Sequence, residues 1–218
     1  MQQTTLQQQK NVSPVKPHGK YRNIIFDLGG VLVYFNPKEL IANIFKNEES
    51  KPWELLNAHH TRPWLEMDRG TMNPDQVGQA LAEQYPQEKL VTYIKTIPQY
   101  LLPLPQGLEI FDAVRAKGYR TYVLSNMSEQ AHKDIVMHHD FIKKFDGTIF
   151  SYEVQAVKPD PDIYQILLNS YELKPEECLF IDDLEVNINA GKSLGIDGII
   201  CQDHKIVKEE LIKLGVLD

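Results

Sequence analysis

A chain of 218 residues with 42% apolar side chains is long enough for one full domain, or one domain carrying a smaller insert, and too apolar to be disordered. Its 23 basic and 30 acidic side chains give a net charge of -7 with no cluster of Lys and Arg. That balance argues against a nucleic acid or an anionic membrane as partner and leaves room for a small anionic substrate met by a local positive site.

Residues 1–20 are Gln-rich and lack an apolar core, so they read as a flexible N-terminal tail and not as a secretory signal. No apolar run reaches the length of a membrane span. The first strand is expected in YRNIIFD (21–27). From about 36 to 105 there is no convincing strand, and the stretch reads as a helical insert. PKELIANIF (37–45) carries Leu40, Ile41, Ile44 and Phe45 at helical spacing. NPDQVGQALAEQY (73–85) has Asn73 as N-cap, Pro74 next and Gln76 in capping-box position, with Val77, Ala80 and Leu81 as its stripe. QEKLVTYIKTI (87–97) continues with Leu90, Val91 and Ile94, and LLPLPQG (101–107) leads back. GLEIFDAVRAKG (107–118) is a helix stopped by Gly118. Strands are expected in YRTYVLS (119–125), GTIFS (147–151), CLFID (178–182) and DGIIC (197–201). Between them PDIYQILLNSY (161–171) has Asp160 as N-cap and Ile163, Ile166, Leu167 and Ser170 on one face, and VNINAGKSLG (186–195) ends on Gly195.

Strands alternating with helices predict an α/β fold with a parallel sheet. The division is a core of 21–35 and 106–218, with an inserted helical cap at 36–105. Two cysteines are too few for a disulfide framework and suit a reducing cytoplasm. Cys178 begins one strand and Cys201 ends another, so they lie at opposite ends of the sheet, too far apart to bridge.

Ligands of parallel sheets bind beyond the carboxyl ends of the strands. Asp27 ends the first strand, Ser125 and Asn126 the second, and Asp182 and Asp183 the fourth. Glu153 and Lys158 follow the third. Several close carboxylates repel unless a hard divalent cation such as magnesium joins them. A lysine and a hydroxyl opposite suit a phosphate, which a carboxylate can attack to give an acyl phosphate. Gly29 and Gly30 let the backbone approach, so that a carbonyl can serve as a metal ligand.

FDLGGVLV (26–33), VLSNMS (123–128), VKPDPDIY (157–164) and FIDDLEVNINAGKSLG (180–195), in that order, resemble the motifs of the haloacid dehalogenase superfamily. The resemblance implies a Rossmann-like core with a helical cap. Within the family the likeness is to small phosphatases of the alpha-D-glucose-1-phosphate phosphatase type, which share the FDLG opening and a cap segment like MDRG (67–70). It implies that Asp27 is nucleophile and metal ligand, that the Gly29 carbonyl and Asp182 and Asp183 hold Mg2+, and that Asn187 supports them. Ser125 and the Asn126 amide then bind the phosphoryl group, and Lys158 binds phosphate and orients Asp27. The implied substrate is a small phosphorylated metabolite such as a sugar phosphate.

One position departs from the family. Most of its phosphatases carry a second aspartate two places after the nucleophile, as general acid and base, and this chain has Gly29 there. Glu153 and the cap residue Asp68 are candidates to replace it. Two rivals remain: a 2-haloacid dehalogenase-type hydrolase, which needs neither metal nor second aspartate, and a silent protein that binds a phosphorylated ligand. His59-His60 and His138-His139 lack ligand spacing for a metal. Trp53, Trp64 and Tyr34 either line the substrate pocket or fill the cap interior.

Overall fold

A computed structural model describes residues 19–218, so the reading of the tail as flexible lies almost wholly outside the described residues. Within that tail, Lys20 pairs with Asp197. Five parallel strands run β1 (Asn23–Phe26), β2 (Arg120–Ser125), β3 (Gly147–Phe150), β4 (Cys178–Asp182) and β5 (Asp197–Ile200), in the spatial order β3-β2-β1-β4-β5. The strand starting the chain is therefore the middle of the sheet. Phe26 pairs with Val123 on one side and Ile181 on the other, which sets the ends of β1, β2 and β4 side by side. Successive residues of β1 serve opposite faces: Ile24 and Phe26 enter one apolar cluster, Ile25 the other. The sheet and surrounding helices form the Rossmann-like core that the sequence predicts.

All elements between β1 and β2 are helical: α1 (Pro37–Ile44), a 3-10 stretch at Trp53–His60, α2 (Arg62–Asp68), α3 (Pro74–Ala80), α4 (Gln87–Thr96), a short 3-10 turn at Ile97–Tyr100, then α5 (Pro105–Ala116). Leu40, Leu55, Leu90 and Tyr93 join the same apolar cluster as Phe26 and Leu28, so this insert shares a core with one face of the sheet. The remaining helices are α6 (Glu129–His138), α7 (Ser151–Val154), α8 (Pro161–Ser170), α9 (Glu185–Ser193) and α10 (His204–Lys213).

Several local signals act as expected. Asn73 and Gln76 form a reciprocal capping box on α3. Gly118 and Gly195 take φ of +84° and +86° just past α5 and α9, where a Cβ would be strained. Others differ. α3 stops at Ala80, and Ala80 is exposed while Gly78 is buried against Val91. On α8 the buried face is Ile163, Tyr164 and Leu167, and Ser170 points to solvent. Asp160 precedes α8 but makes no side-chain cap bond; its Oδ2 accepts from Arg69 Nη2 at 3.2 Å. Both cysteines are buried and free. Among the described residues no helix is long and apolar enough to cross a membrane.

Candidate active site

The strand ends deliver the predicted polar set to one place. Asp27 follows β1 directly, with its N–H on the Ile181 carbonyl at 2.9 Å. Lys158 enters from the loop between α7 and α8, and its ammonium is buried between two carboxylates, 2.9 Å from Asp27 Oδ1 and 2.6 Å from Asp182 Oδ2. It also lies 5.4 Å from the centre of the Phe180 ring. Burial works to lower the lysine's pKa, but Asp182 and Asp27 outweigh it and hold the ammonium above its ordinary value. For Asp27 burial wins: its pKa is raised, although Lys158 and the neighbouring Ser125 hydroxyl pull the other way.

Asn126 fixes Lys158 from the end of β2. Its Nδ2 donates to the Lys158 carbonyl at 2.9 Å, and its Oδ1 accepts from the Lys158 N–H at 2.7 Å. Asn187, one turn into α9, donates to both oxygens of Asp182 at 3.0 and 3.1 Å. The Leu184 N–H reaches Asp182 Oδ1 at 2.8 Å. With Lys158 added, Asp182 accepts about as many hydrogen bonds as a carboxylate can hold.

Asp27, Asp182 and Asp183 each place an oxygen within 4.8 Å of the others, the one such group of potential metal ligands among the described residues. Asp27 Oδ1 is buried and, despite the nearby ammonium, has no well-aligned donor. Partial desolvation, then the charges of Asp27 and Asp182, push the Asp183 carboxyl up to about 7. The donor set fits a hard divalent cation: three crowded carboxylates, a single lysine that cannot balance them, and an unsatisfied oxygen. Asp27 and Asp183 hold the free oxygens, whereas Asp182 could ligate only by releasing one of its donors. The two histidine pairs form no such group.

Gly29 and Gly30 differ in kind. A Cβ at Gly30 would lie 2.8 Å from Asp183 Oδ2, and its φ is +69°. A Cβ at Gly29 would meet only Phe35 Cβ, at 3.8 Å. Space for a side chain exists where the family's second aspartate would stand. Of its candidate replacements, Glu153 is occupied elsewhere: Oε1 accepts from the Tyr152 hydroxyl at 3.0 Å and faces His132 at 3.8 Å. Asp68 is half-buried at the end of α2. Its carboxyl is pushed up to about 7 by desolvation, against the pull of Lys158 and a hydrogen bond from Trp64.

Trp64 is buried between His59 and Tyr93, while Trp53 is exposed and the Tyr34 hydroxyl bonds Glu39. Sequence reasoning missed Ser151. Its buried hydroxyl accepts from Met127 N–H at 2.8 Å and donates to the Asp68 carbonyl at 2.6 Å, tying the ends of β2 and β3 to α2. A lone serine closing a strand carries no signal of that role.

A mouse protein, acyl-CoA dehydrogenase family member 10, is 28% identical over 207 residues; the match covers 89% of this chain but spans only 19% of the mouse protein's length. A D-ribitol-5-phosphate phosphatase of Bacteroides thetaiotaomicron is 25% identical, with 81% of this chain and 89% of that protein covered. A haloacid dehalogenase family enzyme of the same organism, solved with magnesium and inorganic phosphate, superposes with a TM-score of 0.66 at 23% identity over 83% of this chain and 93% of that one. At that identity the likeness bears on the fold. The model of the haloacid dehalogenase-like hydrolases matches residues 21–195, from just before β1 to just past α9, and the chain belongs to that family.

Proposed function

We propose that this protein is a magnesium-dependent phosphatase of small phosphomonoesters, sugar and polyol phosphates among them, working through an aspartyl phosphate on Asp27. The observation that carries this reading is the Lys158 ammonium shared by Asp27 and Asp182 at 2.9 and 2.6 Å, with Asp183 completing a trio of carboxylates. Support comes from the phosphatase among its relatives and from the fold neighbour solved with magnesium and phosphate. The carboxylate trio favours metal-assisted phosphoryl transfer over metal-free attack on a carbon–halogen bond.

Asp27, Asp183 and the Gly29 carbonyl would hold the magnesium ion, and the chemistry it supplies when bound is neutralisation of the charge that phosphate brings to these carboxylates. Lys158 aims Asp27 and draws the phosphoryl group in. The Ser125 hydroxyl and the Asn126 N–H take phosphoryl oxygens. Asp27 attacks phosphorus, the P–O bond to the alcohol breaks, and water then hydrolyses the acyl phosphate to restore the carboxylate. Asn187 keeps Asp182 oriented so that Lys158 stays in place. Residues 36–105 serve as the cap that excludes water and selects the leaving group. The two free buried cysteines fit a reducing cytoplasm.

The test is phosphate release from 4-nitrophenyl phosphate and a panel of sugar and polyol phosphates, with magnesium or with chelator. Release is expected to need magnesium and to fall by on the order of 10³-fold or more in Asp27→Asn. Release that survives Asp27→Asn, or none from any substrate, overturns the reading; tight phosphate binding without turnover would mark a silent binder.

A further inference from the structure

The phosphatase reading leaves a proton unaccounted for. An alkoxide leaving group needs one, and the water that opens the acyl phosphate must lose one. Gly29 supplies neither. We infer that Asp68, carried on the cap, is the general acid and base of this site. The inference rests on the phosphatase reading and deepens it.

The geometry begins with how α2 is seated. The Asp68 carbonyl accepts the Ser151 hydroxyl at 2.6 Å, and that hydroxyl also accepts the Met127 N–H, one residue past Asn126. Arg69 donates to the Gln155 carbonyl at 3.5 Å and to Asp160 at 3.2 Å, on either side of Lys158 in sequence. A Cβ on Gly70 would stand 2.9 Å from the Tyr152 carbonyl, so this turn lies directly on α7, which leads into the loop that carries Lys158. Three successive residues thus dock the end of α2 onto the segments that hold Asn126 and Lys158.

A second chain of contacts leads to Gly29. Trp64 stands one turn before Asp68 on α2, and its indole is among the groups that pull the Asp68 pKa down. The Trp64 ring packs edge-on to His59, with centroids 6.3 Å apart, and His59 does the same to Phe35 at 6.2 Å. Phe35 is the neighbour that a Cβ at Gly29 would meet. These packed rings run from the helix that carries Asp68 to the open space beside Gly29. Lys158, which grips the nucleophile, also acts on the Asp68 carboxyl electrostatically. A carboxyl pushed up to about 7 can both give and accept a proton near neutral pH.

The proton balance closes. As Asp27 attacks phosphorus and the P–O bond breaks, protonated Asp68 gives its proton to the leaving oxygen. The resulting carboxylate takes a proton from the water that attacks the acyl phosphate. Phosphate departs, Asp27 is free again, and Asp68 is protonated for the next turnover. Because Asp68 belongs to the cap, the acid is present only when the cap is seated.

The experiment measures kcat/KM for an alkyl phosphate that the native enzyme hydrolyses and for 4-nitrophenyl phosphate, whose leaving group needs no proton. In Asp68→Asn the alkyl substrate is expected to lose ~10²–10⁴-fold, and the aryl substrate less than about tenfold. The same variant should release a stoichiometric burst of 4-nitrophenolate, because hydrolysis of the acyl phosphate has lost its base. Adding Gly29→Asp to Asp68→Asn should restore part of the alkyl activity, which no purely structural role of Asp68 predicts. Asp68→Glu, which keeps a carboxyl on the same turn, should retain more alkyl activity than Asp68→Asn, and thermal unfolding of both variants separates a loss of folding from a loss of the acid. Glu153→Gln should leave the substrate ratio unchanged. Equal losses on both substrates in folded Asp68→Asn, or a shift in the ratio from Glu153→Gln alone, would each overturn the assignment. A native protein inactive on every substrate would instead sink the phosphatase reading, and this inference with it.

Discussion

The 2.8 Å between a Cβ at position 30 and Asp183 Oδ2, together with a φ of +69°, leaves no room for any side chain there. Gly30→Ala must push Asp183 away from Asp27 and adopt a strained backbone, at a cost of about 1–3 kcal/mol. We expect urea unfolding to show that loss and magnesium-dependent phosphate release to fall at least tenfold in parallel, by about the rate equivalent of 1.4 kcal/mol. A variant with native stability and turnover would mean that the loop relaxes freely. FDLGGVLV shows two glycines after an aspartate and suggests a close backbone approach. It cannot show which glycine is required, because the answer sits on Asp183, just past the neighbouring strand β4 and more than 150 residues along the chain. The departure at Gly29 is visible only against the family's pattern, and only the structure shows that the position has room.

Elements were legible where their signals are local. The capping box of α3, the glycines after α5 and α9, and the apolar strands around Phe26 and Ile181 depend on residues a few places apart. Asp160 shows the limit: it stands where an N-cap belongs, yet its partner is Arg69, 91 residues away. The stretch from Trp53 to Asp68 folds into a 3-10 segment and a seven-residue helix, too short for a clear period to emerge. α5 carries a constraint of the same hidden kind. A Cβ at Gly107 would lie 2.1 Å from the Val31 carbonyl and 3.0 Å from His204 Nε2, the pair that joins the loop after Asp27 to α10. Gly107→Ala should therefore cost about 1–3 kcal/mol through overpacking. It should also weaken turnover, since the displaced loop is the one that presents Gly29. Thermal unfolding with parallel kinetics would check this, and a loss of stability with unchanged kinetics would show that the strain is absorbed by α10 instead.

For the whole molecule the question is how the helical insert and the sheet stay in register. Along the α2 turn the polar contacts are Ser151 to the Asp68 carbonyl and Arg69 to Gln155 and Asp160, on a chain whose apolar cluster runs from Phe26 through Leu28 into the insert. The apolar part keeps the insert folded, while the polar part fixes the backbone of the turn that carries Asp68. The Arg69–Asp160 pair is half-exposed, so its worth to global stability is small, ~0–1 kcal/mol. Its loss should nevertheless be felt at the site, because a displacement of about 1 Å in a positioned group can cost on the order of 10²-fold in rate. Arg69→Ala is thus expected to leave the unfolding midpoint nearly unchanged. Backbone amides of residues 62–72 should exchange faster, while those of β1, β2 and β4 keep their protection. Alkyl phosphate turnover should fall more than aryl phosphate turnover, the same signature as removing the Asp68 carboxyl but smaller. Faster exchange throughout the sheet would show that Arg69 holds the fold as a whole; local exchange with an unaltered substrate ratio would show that the turn is fixed by Ser151 and Gly70 without it.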